Sequence, residues 1–345
     1  MVSNKIYIPD FTLNELIDFI KSIGEKAYRG RQIFEWVHQH RVKSFTDMTN
    51  IPIELQSKLA DSADITRLTV SQDLLSEDGT RKFLFILQDG YFIETVYILE
   101  EKRRTLCISS QVGCALNCTF CATGLMGFYR NLSAGEIVDQ LLTVTRTIGE
   151  KVTNVVFMGM GEPFLNYDNV LKAADSMNNR YGYKLGARHI SISTAGLADR
   201  IAQFLYERRS YKLALSLNAG TQAVRQSLMP IAQKYPLSRL KNVFTQMVNS
   251  YPHPITLEYV LLKDINDSDY EIKELIAFAK PLRVKINLIP YNSISAHYQA
   301  TPDNRIKEIY KTIRNAGIQT NIRKSSGGDI KAACGQLFSE QQKRR

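Results

Sequence analysis

Apolar positions change their period twice along this chain. Up to about residue 65 they recur every three or four residues, as Leu13, Leu16, Ile17 and Ile20, then Ile33, Trp36 and Val37, then Ile53, Leu55 and Leu59. That is the stripe of amphipathic helices. Thr12 and Glu15 have the spacing of a capping box at the first, Gly24 ends it, and Pro52 opens the third. Between about 66 and 100 the pattern shortens to strands, at 66–70, 82–87 and 92–98, with Asp78-Gly79 and Asp89-Gly90 as hairpin signals. From Thr105 to about Arg323, strand-like segments at 105–110, 153–158, 188–193, 211–217, 255–261 and 283–289 alternate with helix-like ones, one of them opened by the capping box of Ser133 and Glu136.

Six such repeats predict an α/β fold: a parallel sheet with right-handed crossovers, short of the eight repeats of a closed barrel. A partial, open barrel is the natural form; a doubly wound open sheet is the alternative that periodicity does not exclude. The expected organisation is a small helical unit at 1–65, an antiparallel β extension at 66–100, the partial barrel at 101–300 and a C-terminal segment at 301–345. That segment should hold a helix near 303–316, a short strand at 318–323 and a flexible loop, Ser325-Ser326-Gly327-Gly328-Asp329, just before Cys334.

Candidate chemistry concentrates in Gly113-Cys114-Ala115-Leu116-Asn117-Cys118-Thr119-Phe120-Cys121. Thiolates are soft ligands for iron–sulfur clusters, zinc or copper(I). A closed structural site wants four protein ligands, and no fourth Cys or His lies nearby in sequence. Three thiolates on a cubane cluster leave one iron open to a small molecule. The competing assignment is a zinc knuckle with a distant fourth ligand. The loop follows the first predicted barrel strand, so it belongs at the carboxyl end of the sheet, where such folds bind ligands.

Further groups fall at the same end. In Met158-Gly159-Met160-Gly161-Glu162-Pro163 the glycines allow close backbone approach, and Glu162 can pair with an ammonium group. Ser191-Ile192-Ser193-Thr194, Ser216-Leu217-Asn218 and Pro290-Tyr291-Asn292 offer hydroxyls and amides for a ribose, a base edge or a carboxylate, though each alone reads as strand-end capping. Cys334 sits among small residues with Lys331 close by, a setting for an accessible thiolate. Cys107 reads as a core residue of its strand. Glu94, in an apolar strand, faces solvent by alternation or serves as a general base, and alternation does not choose.

Charge adds a partner class. Lys+Arg 44 against Asp+Glu 34 leaves +10, which favours a polyanion such as nucleic acid. Arg29, Arg31, His38, His40, Arg41 and Lys43 place part of it on the helical unit, either as a phosphate-contacting surface or as solvated helix faces. Lys343-Arg344-Arg345 reads as a short frayed end. No apolar run reaches the length of a membrane span and Met1 to Asp10 lacks a signal-peptide pattern, so the expected setting is the cytoplasm, with no membrane. The cysteines are five, an odd count that argues against a structural disulfide framework.

The CxxxCxxC spacing resembles the signature of radical S-adenosylmethionine (SAM) enzymes. With it, Tyr28-Arg29-Gly30-Arg31-Gln32, Glu94-Thr95-Val96-Tyr97-Ile98, Gly159-Met160-Gly161-Glu162-Pro163, Asn287-Leu288-Ile289-Pro290 and Ala332-Ala333-Cys334-Gly335-Gln336-Leu337 are similar to those of the RlmN family, which makes 2-methyladenosine in 23S rRNA and some tRNAs. The resemblance runs from about Tyr28 to Leu337. It implies a partial (β/α)6 radical SAM barrel with a helical N-terminal domain and a short antiparallel β extension. It implies one 4Fe–4S cluster on Cys114, Cys118 and Cys121, and SAM, two per turnover, contacted by Gly161, Glu162, Ser193, Ser216, Leu217, Asn218 and Asn292. Cys334 would carry the methyl group, Cys107 would resolve it through a transient disulfide, and Glu94 would accept the proton. An external electron donor is implied as well, and a monomer is the default. The nearest alternative is the related antibiotic-resistance enzyme that methylates carbon 8 of the same rRNA adenine; Pro163, the Tyr28 to Gln32 segment and the Trp36 region favour carbon 2. A zinc-bearing RNA-binding module without activity, and a radical SAM enzyme acting on a peptide or small molecule, are the remaining alternatives.

Overall fold

Ten strands form one sheet whose spatial order follows the chain: β1 (Thr69–Leu75), β2 (Arg81–Ile86), β3 (Phe92–Glu100), β4 (Arg103–Cys107), β5 (Asn154–Phe157), β6 (Ile190–Thr194), β7 (Lys212–Ser216), β8 (Ile255–Leu261), β9 (Val284–Pro290) and β10 (Thr320–Ile322). These come from a computed structural model that describes residues 5–247, 251–294, 297–323 and 325–337; the basic run Lys343-Arg344-Arg345 lies outside the described residues. β1 to β4 pair antiparallel, and every neighbour from β4 to β10 pairs parallel. Helices cross between the parallel strands, beginning with Ala134–Ile148 between β4 and β5 and ending with Asp303–Asn315 between β9 and β10.

The sheet is curled. Side chains of β3 to β10, among them Val96, Cys107, Val156, Ala214, Glu258, Asn287 and Asn321, line one common cavity, so their shared face is concave. β1 and β10 do not pair, which leaves the barrel open. The expected short C-terminal strand is β10, a seventh parallel member of the same sheet. The expected 66–70 strand begins only at Thr69 and runs to Leu75, because Asp64 and Arg67 are engaged with each other and with the N-terminal unit. The first predicted barrel strand also ends early, at Cys107, where the chain turns toward the cysteine loop.

The N-terminal unit packs helices Leu13–Ser22, Ala27–Glu35 and Ile53–Ser62. Thr12 and Glu15 form both bonds of the capping box. A parallel pairing of Ile6–Tyr7 with Ala63–Asp64, not expected from the sequence, ties its two ends together. Asp139, on the Ala134–Ile148 helix and fully buried, then fastens the unit to the barrel. Its Oδ2 accepts hydrogen bonds from Tyr7 Oη at 2.7 Å, Thr66 Oγ1 and the Arg67 amide at 2.9 Å each, and the Leu68 amide at 3.2 Å. Its Oδ1 pairs with Arg146 at 3.3 Å. Among the described residues, no helix is long and apolar enough to cross a membrane.

Removing that carboxylate strands several buried donors at once. Asp139→Ala is expected to lose about 3–5 kcal/mol in urea denaturation and to expose the chain near residues 62–69 to protease. An unchanged unfolding midpoint would show that Asp139 does not hold the two parts together.

Candidate active site

At the carboxyl edge of the parallel strands, Cys114, Cys118 and Cys121 border a cavity. Their loop is closed at its base by Gln111–Gly113, which pairs with Phe128–Asn131, and by the Cys114 amide donating to Gly127 O at 2.8 Å. Burial is the first cause raising all three thiols, Cys114 to about 12. Cys118 is raised further by Cys121 and Cys114, so the thiols lie within electrostatic reach of one another. Yet among the described residues no three His, Cys, Asp or Glu side chains converge as they would on a single ion. The three thiols border one cavity, and thiolates are soft ligands for an iron–sulfur cluster or zinc.

Gly161, Glu162, Ser193, Ser216 and Asn218 line the same cavity. Gly161 has φ +99°, and a Cβ there would stand 2.5 Å from Gln111 Cβ, so the turn needs glycine. Glu162 is bound on every side: its amide donates to Gln111 Oε1 at 2.8 Å, and its carboxylate accepts from the Phe164 amide at 2.9 Å and the Ala195 amide at 2.7 Å. Burial nevertheless pushes its carboxyl up to about 7. Ser193 and Ser216 hydroxyls face each other at 3.5 Å. Asn218 adopts φ +59°, with Oδ1 accepting from the Val260 amide at 3.0 Å.

Two expected contacts lie elsewhere. Leu217 is fully buried and borders neither cavity; its amide donates to Glu258 O at 2.9 Å, so only its backbone belongs to this edge. Asn292 borders the barrel's lumenal cavity, where its Nδ2 donates to Cys334 O at 3.3 Å.

Cys334 borders both cavities. The loop before it, expected to be flexible, is held. Ser76 Oγ donates to Asp329 Oδ1 at 2.5 Å and the Gly327 amide to Asp78 Oδ2 at 3.0 Å, which ties the loop to the β1–β2 turn. The Ala122 amide donates to Gly335 O at 2.8 Å and Thr123 Oγ1 to Leu337 O at 2.7 Å, which ties its far end beside Cys121. Cys334 is exposed, as expected of an accessible thiol; the protein packed around it still desolvates and raises the thiol, and the cation opposing this is Arg323 rather than the neighbouring Lys331. Cys107 is not plain core: it borders the lumenal cavity, and burial, then the charge of Cys334, pushes its thiol up to about 12. Glu94 is buried, not solvent-facing; it shares a β3 face with the cavity-lining Val96 and Ile98 and pairs with Lys82 Nζ at 3.0 Å.

Sequence reasoning missed three charged groups. Arg323 ends β10 and borders both cavities; burial works against its charge, but Cys334 and Glu258 hold it in the charged form. Glu258, on β8, receives Asn287 Nδ2 at 3.1 Å on one oxygen, while the other has no hydrogen-bond partner. Lys82 reaches both Glu94 and Lys331 O. A lone carboxylate in the apolar run of β8, like Glu94 in β3, was the available signal for Glu258.

Comparison with known proteins agrees with this arrangement. Residues 6–65 match the ribosomal RNA large subunit methyltransferase N-terminal domain, and residues 108–276 match the radical SAM superfamily. The chain is 42% identical over 335 residues to a protein of Cytophaga hutchinsonii named a probable dual-specificity RNA methyltransferase RlmN, covering 96% of this chain and 92% of that one. It is 38% identical over 347 residues to the dual-specificity RNA methyltransferase RlmN of Alcanivorax borkumensis, covering 97% and 91%. A crystal structure of a radical SAM methyltransferase from Sphaerobacter thermophilus matches with a TM-score of 0.93 at 39% identity, over 97% of this chain and 100% of that one. The superfamily implies a 4Fe–4S cluster and SAM, and the residues fit both: soft thiolates bound the cavity on one side, and a buried carboxylate, hydroxyls and an amide bound it on the other.

Glu162 makes this site sensitive to pH. Its folded pKa lies above its unfolded one, so its contribution to stability is full below about 4.5 and is lost as pH rises through about 7. In metal-free, SAM-free protein this amounts to about 3 kcal/mol. Glu162→Gln is expected to gain stability relative to wild type across that window, read as Tm against pH. Parallel Tm profiles for the two proteins would refute the assignment.

Proposed function

This chain belongs to the RlmN family of radical SAM RNA methyltransferases, and from that premise we propose that it methylates carbon 2 of an adenosine in 23S rRNA, and of the adenosine 3′ to the anticodon in some tRNAs, with Cys334 as the methyl carrier. The observation that carries the reading is the double position of Cys334, on the cavity bordered by the three other thiols and on the lumenal cavity bordered by Cys107. The lumenal cavity, about 600 Å³, lies in the size range of small-ligand sites and has room for a splayed-out base.

Each residue then has a task. Cys114, Cys118 and Cys121 would hold the cluster. Glu162 would meet the SAM ammonium, and Gly161, Ser193, Ser216, the Leu217 backbone and Asn218 would position the rest of that molecule, with Asn292 acting from the lumenal side through Cys334. When bound, cluster and SAM supply the methyl group and the one-electron chemistry that activates it. Carbon 2 of adenine is electron-poor and its hydrogen is not acidic, so an ordinary polar transfer does not reach it. Cys334 would hold the methyl as a thioether beside the base. Glu94, paired with Lys82 Nζ at 3.0 Å, would take the proton lost from carbon 2. The Cys107 thiolate would then attack the Cys334 sulfur: the S–S bond would form as the bond from that sulfur to the carbon now joined to the base breaks, that carbon would take up a proton to complete the methyl group, the one electron used for activation would be given back, and an external dithiol would reduce the disulfide. The N-terminal helical unit, with Lys26, Arg31 and Lys43 at its surface, is the proposed RNA contact. An rRNA substrate places the enzyme in the cytoplasm. An external electron donor would supply the electron, and a monomer is the default form.

The test uses cluster-reconstituted protein with SAM, dithionite and an rRNA fragment. Wild type is expected to form 5′-deoxyadenosine and 2-methyladenosine. Cys334→Ala is expected to keep its iron and lose the methylated base by at least about a hundredfold. Loss of iron in that variant would make Cys334 a cluster ligand and overturn the carrier assignment. 8-Methyladenosine as the main product would overturn the choice of carbon 2, and stoichiometric zinc with neither product would leave a binding module.

A further inference from the structure

Behind the cysteine loop lies a buried cation with no anion of its own. Arg225 belongs to the helix Gln222–Leu228, and its side chain is fully buried. Its Nε donates to Leu217 O at 3.1 Å. Its Nη2 donates to Ala195 O at 2.5 Å and Ser216 O at 3.5 Å, and its Nη1 to Tyr235 O at 3.5 Å. All four acceptors are neutral carbonyls, and among the described residues no carboxylate pairs with this guanidinium. Burial lowers its pKa to about 10, which leaves it charged at neutral pH.

The surroundings are built for it. Gly196, with φ +107°, leaves the space: a Cβ there would stand 2.9 Å from Nη2. The Ala195 carbonyl that receives Nη2 belongs to the residue whose amide holds Glu162, so one residue links guanidinium and carboxylate. The helix also touches the cysteine loop, through the Thr119 amide donating to Leu228 O at 3.0 Å and through Leu228 and Met229 packing with Cys114 and Cys118. The one titratable group whose charge bears on Arg225 is the Cys118 thiol. Desolvating an unpaired cation is unfavourable unless an anion balances it. Three cysteine thiolates around an iron–sulfur cluster are that anion.

We propose that Arg225 is a fixed positive charge that raises the reduction potential of the cluster held by Cys114, Cys118 and Cys121, while its fork of donors positions the β6 and β7 loop ends around SAM. The inference rests on the reading of the site given above. One-electron reduction adds one negative charge to the cluster and moves no proton; a desolvated cation nearby stabilises the reduced form, because net charge around a cluster sets its potential. Arg225 acts through the cluster and the loops and is a positioning residue.

The experiment is a dithionite-driven redox titration of SAM-free, cluster-reconstituted protein, followed by visible absorbance and electron paramagnetic resonance. Arg225→Met is expected to lower the ratio of reduced to oxidised cluster about tenfold at a fixed potential, a shift of about 59 mV for one electron. Arg225→Lys, which keeps the charge but not the fork, is expected to hold the wild-type potential and to bind SAM more weakly. If the Met variant does not fold, Arg225→Gln, which keeps a donor for the carbonyls, reads the same quantity. Equal potentials in wild type and either neutral variant overturn the inference while leaving the cluster assignment intact. A Lys variant shifted as far as the Met variant overturns it as well, since geometry and not charge would then be at work. A wild type that takes up no redox-active cluster overturns the underlying reading and this inference with it.

Discussion

The arrangement depends on one return of the chain: residues 325–337 re-enter an open barrel and are held there at both ends. Asp78 and Ser76 hold the near end, on the turn of the first hairpin; Ala122 and Thr123 hold the far end, beside the last of the loop cysteines. Between these anchors Cys334 borders both the lumenal cavity and the cavity of the three other thiols. A loop of two serines, two glycines and an aspartate has little apolar area with which to dock, so the hydrogen bonds do the docking. The antiparallel hairpins are thereby part of the site. They supply the near anchor, and through β3 they carry Glu94 onto the concave face.

Electrostatics bind the same parts together. The interior holds more ionisable groups than an apolar core tolerates, and their shifts run in the directions desolvation dictates: thiols and carboxyls up, the Arg225 guanidinium down. Arg323 is the exception. Burial opposes its charge, but Cys334, Glu258 and Cys107 surround it and hold it charged. A cation shared among two thiols and a carboxylate favours whichever is ionised, so the two lumenal cysteines do not titrate independently. Among the described residues, Arg225 has no counter-anion and Glu162 has no counter-cation. An anionic cluster and the SAM ammonium are complementary to those two unmet charges.

Much of this was legible beforehand. The alternation of strand and helix gave the parallel sheet because each crossover buries a stripe that repeats in sequence, and the capping boxes at Thr12 and Ser133 mark helix starts that the structure keeps. The cysteine spacing and the Gly161-Glu162 turn are local patterns, and the structure sets both on one cavity. What did not read is long-range. Alternation left Glu94 undecided between solvent and site, since it reveals two faces and not which one the sheet curls around. Arg225 gave no local signal at all, since its partners are carbonyls of loops brought beneath it by the sheet. Cys334 was credited to Lys331, its neighbour in sequence, when the opposing cation is Arg323, eleven residues away along the chain.

The N-terminal unit follows the same logic of distance. Its helices are readable singly, but its seat on the barrel rests on Asp139, a carboxylate inside a helix that by pattern belongs to the barrel alone. Six donors from three segments meet there: Tyr7, the Thr66–Leu68 stretch, and Arg146 with Thr143 on the helix itself. A buried carboxylate with that many partners is rigid, since moving it breaks all of them together. The unit is therefore not free to swing against the sheet. If it contacts RNA as proposed, its basic face is presented at a fixed distance from the lumen, and the accommodation needed to bring a buried base to Cys334 falls on the RNA, as unstacking of the target nucleotide.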